Sequence, residues 1–503
     1  MMSFISLVAA RSPGLPTAAQ LCLLLPMLGL AACAVGPDYQ TPSLSLPVQW
    51  GNAPKTAKPL QPKQLSQWWK KLGDQTLNVI VEEAIAGNLD VASAKARIRE
   101  ARASRRQAIG ALLPQADGSA SVTRSRTAAA TSATGENITS NLFNAGLDAS
   151  WEFDLFGANY RNVEASTYGV DAADEDLRST LLTLIGDVTS TYIEARGYQA
   201  RIALARRTAV SQRETESLTR TKLEAGAASA VDVAKAAALA SSTEANIPSL
   251  EASYAQSLHR LGILAGQAPV AFTTRLARGG PIPAARSTPP AGMPADMLLN
   301  RPDVRKAERQ LAQRTAKIGQ AEAALYPSVS LTGNLATSAL KSGDLAKNSS
   351  ISWSFGPSLS VPILNGGELR AAVEVAQTQR DQYDAAFKLS VLTAMQDVEN
   401  ALVSLAQERI RAGKLSTSAR SYREAARLSR SLYQSGSSSF LDVLDAERSL
   451  YNAEDSLLQS QILSTTYFIA LNKALGGGWG KPIDASGGTL VDENTGPHAR
   501  KGY

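Results

Sequence analysis

Reactive and metal-binding side chains are scarce in this chain. Of 503 residues, two are cysteine and two are histidine. His259 and His498 are far apart, so no cluster with metal-ligand spacing forms. Cys22 falls in an apolar leader that reads as removed, which leaves Cys33 alone and no disulfide. No phosphate loop and no nucleophile beside a base appears, which argues against an enzyme and against a cofactor. No run after Cys33 is apolar over the ~20 residues that a spanning helix needs. The 51 Lys and Arg exceed the 45 Asp and Glu for a net charge of +6. These charges alternate along helices without an aromatic-basic motif, so they read as solvated faces rather than a nucleic-acid surface.

What is present is a long helical stretch that occurs twice, at 157–224 and 367–434, with no proline inside either copy. At ~1.5 Å per residue each is about 100 Å long, yet too polar to lie in lipid. In the first, Leu177, Leu181, Leu184 and Val188 share one stripe, which continues through Ala195, Tyr198, Ile202, Ala205 and Ala209. Val163, Val170, Leu177 and Leu184 recur every seven residues, the period of helices wrapped on one another. The second copy repeats this more loosely with Leu389, Met395, Leu402 and Leu405. A dimeric coiled coil explains the rods alone equally well.

Most of the chain is duplicated. Leu218, Arg220, Gly226, Ser229, Asp232, Val233 and Ala236 match Leu428, Arg430, Gly436, Ser439, Asp442, Val443 and Ala446, with 436 − 226 = 210. Earlier, Asp90, Val91, Ala94, Ala103, Leu112 and Pro114 match Asp303, Val304, Ala307, Ala316, Leu325 and Pro327, with 327 − 114 = 213. The three-residue slip points to a loop of different length between the blocks. Each repeat reads as a helix ending before proline, two strands, the rod, a turn at Gly226 or Gly436, and a returning helix. The pre-strand and returning helices are each expected to be near half the rod's length.

The strands alternate. Leu147 to Leu155, Ile351 to Phe355, Leu359 to Val361 and Val329 with Leu331 place apolar and polar side chains on opposite faces; the strand near Ala116–Arg124 is poorly patterned. Asp148, Glu152 and Asp154 fall on the polar face. A half-buried sheet and a transmembrane barrel share this pattern. Four strands are too few to close a barrel, which takes about eight, and an open edge in lipid is costly. If they span, they must close between chains.

The start of the chain has Arg11, an apolar run from Leu21 to Ala32, and then Leu30-Ala31-Ala32-Cys33. This resembles the lipobox of bacterial lipoproteins, which implies a diacylglycerol thioether and an N-acyl chain on Cys33. Ala34 is not the aspartate that often retains lipoproteins at the inner membrane. Three further stretches carry a wider resemblance: Cys33-Ala34-Val35-Gly36-Pro37-Asp38-Tyr39; Trp68-Trp69 with Leu72-Gly73-Asp74; and Asn300-Arg301-Pro302-Asp303-Val304-Arg305 with Ala307-Glu308 and Ala323-Ala324-Leu325-Tyr326-Pro327-Ser328. The chain resembles the TolC-type outer-membrane efflux channels, in particular the lipoprotein (NodT-like) channels that serve resistance-nodulation-division pumps.

The resemblance implies a mainly α fold with a small β part. In it a homotrimer forms a 12-stranded outer-membrane β-barrel continuing into a 12-helix periplasmic α-barrel, and each protomer is two structural repeats. The parts expected are a signal peptide (1–32), an anchor and equatorial segment (33–75), repeat 1 (76–266), a Pro-rich equatorial linker (267–300), repeat 2 (301–475) and a tail (476–503). The implied function is passive conduction of small toxic compounds or drugs from an inner-membrane pump, joined by a periplasmic adaptor, to the exterior. A duct for type I protein secretion and a pore-less coiled-coil lipoprotein are the alternatives. By motif match, Tyr433, Asp442 and Asp445 fall at a periplasmic gate, and the turns at Gly226 and Gly436 meet the adaptor. Ser437-Ser438-Ser439 stands where an arginine is often found. From the residues alone, Asp442 reads equally as a helix N-terminal residue, Tyr433 as packing, and the glycines as C-caps.

Overall fold

The computed structural model describes residues 34–43, 50–51, 65–133, 135–285, 301–478 and 485. Cys33, the leader and most of the tail lie outside the described residues. The elements are α1 (Gln75–Gly87), α2 (Leu89–Gly110), β1 (Gln115–Thr127), β2 (Ile138–Phe153), α3 (Ala158–Glu224), α4 (Ala230–Leu264), α5 (Pro302–Ala323), β3 (Ser328–Ala339), β4 (Ile351–Ser360), α6 (Glu368–Gln434) and α7 (Phe440–Ala474). The two rods α3 and α6 have 67 residues each, α4 and α7 have 35 each, and α2 and α5 have 22 each. The pre-strand helices are thus about a third of a rod, not half. In repeat 1 the cause is local. Asn88 breaks the helical run, and its Oδ1 accepts from Val91 N at 3.0 Å to cap α2. Its Nδ2 donates to Leu264 O at the end of α4. One side chain satisfies orphan groups of two helix termini.

Two units make up the chain, and α2, α3, α5 and α6 contribute residues to both. The first holds residues 1–40, 103–168 and 312–382. Its centre is an antiparallel sheet of order β1-β2-β3-β4. The register lines up Gly118, Leu147, Leu335 and Trp353 on one face, and Asp117, Asp148, Asn334 and Ser354 on the other. Among the described residues nothing covers the apolar face: Leu147, Leu335, Phe355 and Leu359 are exposed, and Trp353 is 77% exposed. On the polar face Asn334 donates to Asp148 at 2.6 Å. The alternation stops at Phe153. Asp154 belongs to the helix instead, accepting from the backbone of Asn159 and Tyr160 at 3.1 and 2.7 Å. An acid at a helix start satisfies free N–H groups and opposes the dipole.

The segment after Cys33 is fixed in this first unit. Val35 N donates to Phe156 O at 3.1 Å. Arg161, its side chain 4% exposed, donates to the carbonyls of Val35 and Gly36 and to the carboxylates of Asp38 and Glu164. Gly36 lies directly against Gly319, where a Cβ on either would collide with backbone.

The second unit holds residues 41–102, 169–311 and 383–503. Trp68 and Trp69 are fully buried, packed edge to face, with Trp68 also against Phe468. Trp68 Nε1 donates to Gly477 O at 2.9 Å. Asp74 caps α1 through Leu77 N and accepts from the hydroxyl of Tyr192 at 2.8 Å. Burial pushes that phenol's pKa up to about 12.

Arg301, also buried, ties three elements together. It makes a two-point contact with Asp303 at 3.0 and 2.7 Å, reaches Asp397 on α6 at 3.1 Å, and donates to Ala474 O at the end of α7. A cation at that C-terminus meets the negative end of the dipole. Burial pushes the Asp303 carboxyl pKa up, but the hydrogen bonds and charge of Arg301 outweigh it and hold the group below its usual range. A depressed carboxylate stabilises the fold above its unfolded pKa of about 4 and loses that contribution as pH falls through the folded value. Arg301→Met is therefore expected to cost about 2 kcal/mol at pH 7, from charge-assisted hydrogen bonds lost. Urea unfolding followed from pH 7 down to pH 3 should show the difference between wild type and variant shrinking with acid.

Candidate functional site at the helical turns

The turns between α3 and α4 and between α6 and α7 are built alike. At the first, Gly226 N donates to Leu223 O and Ala227 N to Lys222 O, at 2.9 and 2.7 Å. At the second, Gly436 N donates to Tyr433 O and Ser437 N to Leu432 O, at 3.1 and 2.8 Å. Both are Schellman closures, with the glycines at φ 73° and 78°. Nothing lies within 4 Å of where a Cβ would be at either glycine. Glycine is required there by φ, not by space.

Each following helix starts with a capping box. Ser229 and Asp232 serve α4, and Ser439 and Asp442 serve α7. Asp442 Oδ2 accepts from Ser439 N and Oγ, both at 3.1 Å. Asp442 is thus the third residue of its helix, with its carboxylate committed to the helix start. Asp445 is 68% exposed and pairs with Arg448, one turn on, at 2.9 Å.

Tyr433 faces inward. It is 5% exposed and clusters with Ala236, Phe440 and Val443. Its ring centroid is 5.8 Å from that of Phe440, and its hydroxyl donates to Thr219 Oγ1 at 3.4 Å. Lys222 Nζ stands 4.8 Å from the same ring centroid and donates to Gln434 O at 3.4 Å. Tyr433 joins the two hairpins by packing. Of the three residues matched to the gate, Asp442 and Asp445 share the first turns of α7, and Tyr433 lies behind them in the core.

Sequence reasoning missed Lys222, which reaches across from the other repeat. A basic residue in a last helical turn is a known signal, but its cross-repeat partner is not legible from spacing. It also missed buried Glu447, which accepts from Thr215 at 2.7 Å and pairs with Arg430 at 2.5 Å, and the two-point pair of Arg201 with Asp455 at 2.7 and 3.0 Å.

A duplicated chain of two long helices and a four-stranded sheet with one apolar face is the build of an outer-membrane channel of the TolC type. The family model for outer membrane efflux proteins matches residues 80–267 and 293–477. This chain belongs to that family, and its place is the outer membrane. It is 38% identical over 458 residues to nodulation protein T of Rhizobium leguminosarum bv. trifolii, covering 91% of this chain and 97% of the relative. It is 32% identical to the solvent efflux pump outer membrane protein SrpC of Pseudomonas putida, covering 90% and 97%. Among solved structures, the outer-membrane channel OprN superposes with a TM-score of 0.82 at 34% identity, covering 89% of this chain and all of that one.

The geometry at Tyr433 separates ring from hydroxyl. Tyr433→Phe removes a long hydrogen bond and is expected to cost under about 0.5 kcal/mol, whereas Tyr433→Ala opens a cavity worth about 3 kcal/mol. Hydrogen exchange across residues 430–446 should be unchanged in the first variant and markedly faster in the second.

Proposed function

We propose that three copies of this chain assemble into a passive conduit, the outer-membrane part of a tripartite efflux system with an inner-membrane pump and a periplasmic adaptor. The observation that carries this is the sheet. Its four strands have β1 and β4 as outer strands, and its apolar face is bare. Unpaired edge groups in lipid cost several kcal/mol each, and sheets closed between chains have none; three chains, the number the resemblance to TolC-type channels implies, give twelve strands. A second exposed feature agrees. Leu392, Val403, Ile410, Leu428 and Leu432 are exposed on α6, spaced by near-whole numbers of helical turns, a stripe suited to a neighbouring subunit.

The reading extends to the anchor and the gate. Ala34 abuts Gly157 where β2 passes into α3, and Cys33 just before it is the residue that would carry the lipid. At the turns, three copies of Asp442 and Asp445 would ring the axis with six carboxylates, offset in part by Arg448, and such a ring favours cations. The turns at Gly226 and Gly436 are the surfaces offered to the adaptor. The cargo is small toxic compounds, a class that includes the solvents of the pump named for the Pseudomonas relative.

The test is the purified protein in detergent and in planar bilayers. A trimer is expected by mass, with low conductance that rises several-fold for Asp442→Ala/Asp445→Ala. A stable single subunit without conductance in either form overturns the proposal.

A further inference from the structure

In the second unit, α3, α6 and α7 enclose a cleft of about 720 Å³ close to the turns, within the size range of small-molecule sites. Its walls carry four guanidinium groups, from Arg207, Arg423, Arg427 and Arg430, against the two carboxylates of Glu447 and Glu454. Glu454 is shared by Arg207 and Arg423, Arg430 is held by Glu447, and Arg427 pairs with Glu424 outside the lining. The lining therefore keeps a positive excess with unspent donors, since each guanidinium has five.

Another wall residue departs from good packing. Gln212 is 2% exposed, lines the cleft, and among the described residues has neither its Nε2 nor its Oε1 hydrogen-bonded. Arg430 Nε is likewise buried without a partner. Buried polar atoms are nearly always paired, so an unpaired one calls for a partner, which a group bound in the cleft would supply. An apolar residue would fill the position of Gln212 at less cost.

On the trimeric reading above, the cleft lies away from the face of α6 through which copies would pack. Each residue turns a helix by about 100°, which sets Arg423, Arg427 and Arg430 on the side of α6 roughly opposite the stripe of Leu428 and Leu432. Packing of copies through that stripe leaves the arginines free.

We infer that this cleft is a binding site for a small anion carrying two or more acidic groups, carboxylate or phosphate. The exposed guanidiniums of Arg207, Arg423 and Arg427 take the acids, in the two-point geometry that suits both. Gln212 and Arg430 meet the polar body of the ligand at the floor. Because Arg207 belongs to α3 and Arg427 to α6, an occupant ties the two hairpins together just above Tyr433.

The experiment is isothermal titration of the intact detergent-solubilised protein with pyrophosphate and with citrate, at ionic strength held constant by sodium chloride. Saturable binding of one anion per chain is expected, and whichever probe binds more tightly identifies the acid type. Arg423→Gln/Arg427→Gln should weaken it at least tenfold. Gln212→Leu should weaken it several-fold while the thermal midpoint of the ligand-free protein holds or rises, a combination that a purely structural role does not produce. No saturable binding of either anion, or affinity unchanged in Gln212→Leu, overturns the inference. Because binding is read without conductance, a failure here leaves the channel reading intact, and a closed or pore-less protein can still bind the anion.

Discussion

An unpaired strand edge is the constraint on which the molecule depends. A sheet of four strands with one face of Trp353, Phe355, Leu147 and Leu359 cannot stand alone in water or in lipid. In water its apolar face is bare; in lipid its outer strands lack partners. The polar face, with Asp117, Asp148 and Asn334, suits water instead. Lipid would cover the apolar face and further strands would pair the edges, so both defects vanish together only in the proposed assembly. Family membership places the chain in the outer membrane, and closure of the sheet between copies is the proposed completion.

The rest of the chain supports the sheet by duplication. Both rods begin at a constant offset, 368 − 158 = 210, and both returning helices keep it, 474 − 264 = 210. The pre-strand helices keep 302 − 89 = 213. The slip falls in the strand hairpins, where β1 and β2 are longer than β3 and β4. Regular helix ends make this possible. The Schellman turns at Gly226 and Gly436 and the capping boxes of Asp232 and Asp442 use only local bonds, so the same ending is written twice without reference to its neighbours. Individuality comes from side chains that cross between repeats: Lys222 on Tyr433, Thr215 on Glu447, Arg201 on Asp455.

That division also explains what the sequence disclosed. Features with a period or a local signal were legible: rod lengths, the alternation of β2 and β4, the glycine turns, the three-residue slip. Asp154 misled because its alternation continued past the strand, while its carboxylate had gone to the next helix. Asp442 was legible as a capping acid, and its carboxylate does accept from Ser439 at the start of α7. Tyr433 could not be placed by spacing, because the residues that bury it come partly from the other repeat. Gln212 looked like any helix-surface amide; only the three helices around it reveal that it is shut away without a partner. Long-range pairing leaves no periodic trace, and for those contacts the coordinates are needed.

The equal lengths of the rods and of the returning helices restrict how this chain can evolve. Two 67-residue helices that pack beside each other near their turns must be shortened or extended by the same number of residues. A gain of one turn in α3 alone would carry Lys222 and Thr219 away from Tyr433, and Thr215 away from Glu447. Insertions and deletions in such a lineage should therefore come as matched quartets across α3, α4, α6 and α7, or be confined to the strand hairpins. The hairpins are where the two halves of this chain have already drifted apart in length.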